Sequence, residues 1–245
     1  MNPGPPTATA DTSPPPSAPE AGSPRSRVRW LVVLAVAFVL TLAVRGLVVQ
    51  SFFIPSRSME PTLEPGDRIL VSKVGAAATF HRGDVVVFDG NETFALHKDD
   101  EKTSTGLTKT VSDVAAFLSI RTDETDYVKR VVGMPGDRVV CCDAQGRMSV
   151  NGTAVSEPYL YHGDKPSDLT FDVTVPAGHI WVMGDHRSDS ADSRAHLGDP
   201  GGGMVREEDV IGRVSLVYWP LPRAGVLSAP GELAGIPSAT TAGAR

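Results

Sequence analysis

The chain has 245 residues, 41% of them hydrophobic and 21% charged, with a formal net charge of −6, enough for one domain core and a membrane segment besides. The acidic balance and the scattered Lys and Arg residues exclude a nucleic-acid partner, which would require a basic patch. The only cysteines, Cys141 and Cys142, are adjacent; without a CxxC or a His/Cys cluster of zinc spacing they give no metal site and read as packing residues or free thiols, a vicinal disulfide being possible but strained.

Residues 1–26 are rich in Pro, Ser, Ala, Thr and Gly, too poor in large apolar side chains to offset chain entropy, and predict a disordered cytoplasmic tail. Arg25, Arg27 and Arg29 then lead into the uncharged run Trp30 to Val44, followed by Arg45 and a second apolar stretch to Ile54. At about 1.5 Å per residue the uncharged run covers roughly 22 Å of a roughly 30 Å hydrocarbon layer, so snorkelling arginines and the apolar flanks must supply the rest of a single transmembrane helix over 27–50. No small-x-small cleavage site follows the run, which argues for an uncleaved anchor. The arginines on its amino-terminal side predict a cytoplasmic N-terminus and an extracytoplasmic remainder in a single-pass cell-membrane protein.

Beyond the anchor, over 51–220, the chain reads as antiparallel and all-β. Arg68–Lys73, Asp84–Phe88, Tyr127–Val132, Arg138–Val140, Met148–Val150 and His179–Met183 are short, rich in β-branched residues and bounded by turn formers. Pro65-Gly66-Asp67, Arg82-Gly83-Asp84, Pro135-Gly136-Asp137 and Asn151-Gly152 are the turn signals between them. A polar excursion over 98–126 reads as a variable insertion, with Thr110 and Asp113 as a capping box for a short helix. Residues 136–178 read as a smaller β subdomain, and 221–245, rich in Pro, Ala and Gly, as a flexible tail.

Three segments carry candidate chemistry: Ser56-Arg57-Ser58-Met59-Glu60-Pro61-Thr62, Tyr127-Val128-Lys129-Arg130-Val131-Val132-Gly133, and Gly184-Asp185-His186-Arg187-Ser188-Asp189-Ser190-Ala191-Asp192-Ser193-Arg194. With the anchor and Arg82-Gly83-Asp84-Val85-Val86-Val87-Phe88, and in this order from about Arg27 to Trp219, they resemble the bacterial type I signal peptidases, membrane-bound Ser-Lys proteases of the S26 family, in an actinobacterial-like form. The fold this resemblance implies is an antiparallel β-sheet catalytic domain with a small inserted β subdomain.

The resemblance also implies roles. Ser58 is the expected nucleophile and Lys129 its general base. A serine hydroxyl needs a base to take its proton, and an amine can serve only when neutral, so a lysine that normally titrates near about 10.4 must be desolvated. Val128, Val131, Val132, Phe52 and Phe53 are the expected apolar walls. The Ser58 backbone N–H and the Ser56 hydroxyl are the implied oxyanion donors, and Ser190 the implied lysine-orienting hydroxyl. Asp192 and Arg194 are the implied bracing ion pair, with Gly184 and Asp185 as further structural support and Ile54, Pro55 and Met59 beside the substrate. The chemistry calls for no cofactor and no metal.

Two residues depart from the family pattern. His186 stands where Asn is usual and opens a Ser-His-Asp alternative with Asp185. Arg57 occupies a position often held by Gly and leaves the local electrostatics open.

Ser58 lies thirteen residues after Arg45, so even an extended connection reaches only about 45 Å from the bilayer boundary. The expected partners are therefore membrane lipid and secretory preproteins whose signal peptides end at that surface, cut after small-x-small sequences docked as an added strand. A maturation peptidase of a conjugation pilus is the nearest rival, and an inactive anchored binding domain a more distant one. Ser-x-x-Lys enzymes of the β-lactam-binding class are excluded at this site, because Met59-Glu60-Pro61 follows Ser58.

Overall fold

The computed structural model describes residues 28–38, 49–73, 80–91, 93–94 and 125–238. The chain divides into two compact units, Met1–Ala43 and Val44–Arg245. In the first unit the described part is a helix, α1, over 28–38, whose large apolar residues, Trp30, Leu31, Leu34 and Phe38 among them, are exposed. Among the described residues no helix is long and apolar enough to cross a membrane. The anchor expected over 27–50 extends into residues outside those described, as do the tail over 1–26 and nearly all of the 98–126 excursion with its capping box.

In the second unit an eight-stranded sheet runs in the order β1 (Val49–Phe53), β2 (Arg68–Lys73), β11 (Val210–Trp219), β3 (Val85–Asp89), β4 (Asp126–Gly133), β9 (His179–Met183), β10 (Val205–Arg206), with β12 (Gly225–Val226) added to β11. A four-stranded sheet runs β7 (Thr153–Ala154), β6 (Ser149–Val150), β5 (Arg138–Cys141), β8 (Phe171–Thr174). Every pairing is antiparallel. The small sheet thus lies in sequence between β4 and β9, which are neighbours in the large one.

The residue pattern explains the elements. Val85 to Phe88 are buried without alternation, as expected of a central strand covered on both faces. β5 alternates exposed and buried from Arg138 to Cys141, the signature of a sheet with one solvated face. Three turns share one construction. In Glu64 to Asp67, His81 to Asp84 and Met134 to Asp137 the aspartate N–H closes on the first residue's carbonyl, and the aspartate carboxylate accepts the first residue's N–H at 2.9, 2.8 and 2.8 Å. The glycine before each aspartate has φ of +97, +90 and +85°, a region closed to most side chains, which is why Gly-Asp recurs there.

Several sequence expectations are corrected. Val49 and Gln50, assigned above to the end of the membrane span, are strand residues paired with Ser72 and Val71. Cys141 and Cys142 are joined as a vicinal disulfide rather than left as free thiols. Residues 221–238 are not a loose tail. They form a 3-10 turn at Leu221–Arg223, β12, and a one-turn helix α2 (Gly231–Ala234), and they bury Leu233 and Ile236 with Val139, Trp181 and Met183. Buried leucine and isoleucine side chains supply the apolar contact that the Pro- and Gly-rich composition conceals.

Candidate active site

Ser58 sits in the loop between β1 and β2, and that loop is fixed along its length. Ile54 and Gly66 close its base through Ile54 N–H to Asp67 O and Gly66 N–H to Ile54 O, both 2.9 Å. Met59 and Leu63 anchor its middle in an apolar cluster with Phe52, Ile54, Ile69 and Val71. The Glu60 N–H donates to the Arg57 carbonyl at 2.9 Å, so Ser58 occupies a tight turn. From the C-terminal segment Arg223 reaches back to Asp67, with its Nη2 at 2.9 Å from Oδ2, and to Glu64 at 2.6 Å.

Lys129 projects from the centre of the large sheet, on β4, with Val86 as its cross-strand neighbour on β3. Its Nζ lies 2.7 Å from Ser58 Oγ, and it is 4% exposed, a burial that decides its chemistry. Removal from water drives its pKa down to about 8, and that loss outweighs the opposing pull of Asp192 and Asp185. At pH 7 roughly a tenth of the amine is then neutral, against about one part in three thousand at its ordinary value. Of the expected apolar walls, Phe52 and Val128 share the cluster that holds Met59, whereas Val131 and Val132 pack into two different clusters.

Because β4 pairs with β9 through Arg130 and Met183, the loop that follows Met183 is delivered beside Ser58 and Lys129. Gly184 must be a glycine: a Cβ there would run into the Ser190 side chain and the Ser58 carbonyl oxygen. Its N–H donates to Asp192 Oδ2 at 2.9 Å, and the Ser190 hydroxyl donates to the same oxygen at 2.8 Å. Arg194 completes the group, with Nε at 2.9 Å from Asp192 Oδ1 and Nη2 at 2.7 Å from Oδ2. Burial alone would push the Asp192 carboxyl up; the Arg194 guanidinium and the two donors hold it below its usual value. The expected Asp192–Arg194 pair is therefore present. The hydrogen bond of Ser190 goes to Asp192 and not to Lys129, so its reach toward the amine runs through that carboxylate.

Asp185 is fully buried and is taken up by Arg130, at 2.8 and 2.5 Å, and by the Thr62 hydroxyl at 2.5 Å. Arg130 also donates to the Gly83 carbonyl at 2.6 Å and lies 4.4 Å from the centre of the Tyr159 ring. One charge pair thus joins the Ser58 loop, β4, the loop after β9 and the turn before β3. It also closes the Ser-His-Asp alternative, because the Asp185 carboxylate is not offered to a histidine. The His186 ring stacks on Tyr161 at 3.8 Å, and its backbone N–H, not its ring, meets Ser58, at the carbonyl.

The remaining expected residues separate. Ser56 Oγ stands 3.4 Å from Ser58 Oγ on the exposed side. Ile54 and Met59 are 2% and 1% exposed, which leaves Pro55 as the one expected substrate contact with open surface. Thr62, Arg130 and Tyr159 were not singled out from the sequence; an arginine inside the valine-rich run of β4 was the available signal. Among the described residues no group of three or more His, Cys, Asp and Glu could hold a metal ion.

Comparison with known proteins gives the family. The family model for signal peptidase, peptidase S26, matches residues 27–219. The signal peptidase I of Mycobacterium tuberculosis is 37% identical over 225 residues, covering 83% of this chain and 76% of that one. The chain belongs to the S26 signal peptidases. It is a serine protease of the type I class. Within the family, the probable signal peptidase I of Mycobacterium leprae is 36% identical over 230 residues, covering 82% and 79% of the two chains, and that of Bacillus licheniformis 33% over 204 residues, covering 80% and 90%. A crystal structure of a signal peptidase I from Enterococcus faecalis aligns with a TM-score of 0.35 at 22% identity, over 55% of this chain and 96% of that one. The fold assignment rests on the strand pairing above and not on that alignment.

Proposed function

We propose that this S26 peptidase is a membrane-anchored endopeptidase that removes signal peptides from secretory preproteins through a Ser58–Lys129 dyad, cutting after small-x-small sequences. The observation that carries the proposal is the 2.7 Å contact between a buried, desolvated lysine amine and the Ser58 hydroxyl.

In the reaction, neutral Lys129 accepts the Ser58 proton as Oγ attacks the scissile carbonyl carbon. The carbonyl oxygen gains the negative charge, which the Ser58 N–H and the Ser56 hydroxyl are assigned to receive. Protonated Lys129 then gives its proton to the leaving amine, the C–N bond breaks, and an acyl-enzyme remains on Ser58. A water activated by the again-neutral lysine hydrolyses it. Asp192 and Asp185 favour the cation that forms transiently, which limits how far burial lowers the lysine pKa. The cytoplasmic N-terminus, a single span that ends before Val49 and the extracytoplasmic catalytic domain belong to the same proposal and rest on the arginine distribution around the apolar run.

The test is a cleavage assay with purified protein in detergent. A preprotein with small residues at the first and third positions before the cut is processed, and the same preprotein with a large side chain at either position is not. Equal cleavage of both would contradict the assigned specificity.

A further inference from the structure

The two residues that depart from the family pattern, Arg57 and His186, face the same side chain. Glu60 accepts Arg57 Nε at 3.1 and 3.2 Å and Arg57 Nη2 at 3.1 Å, while its Oε2 lies 3.5 Å from His186 Nδ1. Glu60 is 15% and His186 7% exposed at the side chain, so water does not fully screen the contact. His186 Nδ1 is buried and has no hydrogen-bond partner among the described residues, an arrangement that costs free energy unless a partner comes within range. A shift of about half an ångström in either side chain brings the Glu60 carboxylate to that distance.

These contacts close a ring around the nucleophile. The Glu60 N–H donates to Arg57 O and ties the turn that contains Ser58 and Met59, and the Arg57–Glu60 ion pair spans the same two residues with side chains. The His186 N–H donates to Ser58 O at 3.1 Å, and the imidazole, held against Tyr161 at 3.8 Å, leans back to Glu60. Arg57 offsets the carboxylate's charge, which would otherwise oppose the negative charge that develops on the substrate oxygen.

We infer that Glu60 is a positioning residue: through His186 it fixes the Ser58 turn so that Oγ and N–H are both aimed during attack. The inference rests on the reading of Ser58 as the nucleophile. Misplacing a reacting group by about 1 Å costs on the order of 100-fold in rate, so loss of this brace lowers kcat while leaving substrate docking in place.

The test is a double-mutant cycle with preprotein substrate, measured on the full chain in detergent. Glu60→Gln is expected to lower kcat about fivefold or more with KM changed less than about twofold, and in a His186→Asn background the same change is expected to have no further effect. Melting temperatures of the four proteins separate folding from positioning. Independent, multiplying effects of the two substitutions would overturn the inference, as would a loss confined to KM or an unchanged kcat in Glu60→Gln. Failure of the dyad reading is distinguishable, because it would show as turnover by Ser58→Ala whatever the cycle gives.

Discussion

Arg130 grips both oxygens of Asp185, at 2.8 and 2.5 Å, in a pair that is 3% and 0% exposed. Such a buried pair is costly to break from one side, because the surviving charge has neither water nor a partner. Asp185→Ala and Arg130→Ala are each expected to destabilise the domain by about 3–5 kcal/mol. Chemical denaturation checks this, and a change below about 1 kcal/mol would show that the pair is dispensable.

Gly184→Ala places a methyl against the Ser190 side chain and the Ser58 carbonyl. The neighbour that must yield is backbone of the nucleophile itself, so activity should fall about 100-fold or more while the fold survives. Turnover and circular dichroism on the purified variant decide it; near-normal turnover would mean that the loop gives way freely.

The lysine's pKa of about 8 fixes the acid limb of the pH profile. Because the neutral amine is the base, kcat/KM should rise with pH and reach half its plateau near pH 8. The stability linkage runs in the same direction: with the folded pKa below the unfolded one, the unfolded chain holds the extra proton between about pH 8 and 10.5, so stability rises across that window. Below pH 8 the full cost of burying a charged amine is present. Lys129→Met should therefore abolish turnover yet raise stability at pH 7 by on the order of 2 kcal/mol. A less stable Met variant would contradict the desolvation account.

The sequence shows some parts of this molecule and hides others for physical reasons. Arg68–Lys73 and His179–Met183 are strands at the residues where β-branched content and turn signals place them. β11, which pairs with both β2 and β3, escapes notice because bulges between Val214 and Leu216 and between Val217 and Trp219 break its two-residue period. The candidate dyad is legible because its residues stand in recognisable local motifs. The partners that hold it are not: Thr62 to Asp185 and Arg223 to Asp67 join positions more than a hundred residues apart, and no local pattern encodes such a pairing.

The segment after Trp219 offers a direct check of that second class of information. Leu233 is completely buried and Arg82 donates to the Ile236 carbonyl, so Leu233→Ala should cost about 2–4 kcal/mol. A loose tail would give no change in the denaturation midpoint.

The central claim is that Lys129 deprotonates Ser58, and the most direct measurement is single-turnover preprotein cleavage by Ser58→Ala and Lys129→Ala, each shown to be folded. The account predicts loss of cleavage in both variants across pH 6 to 10, on the order of 1,000-fold or more. Cleavage by Lys129→Ala at a rate comparable to the parent protein would contradict it.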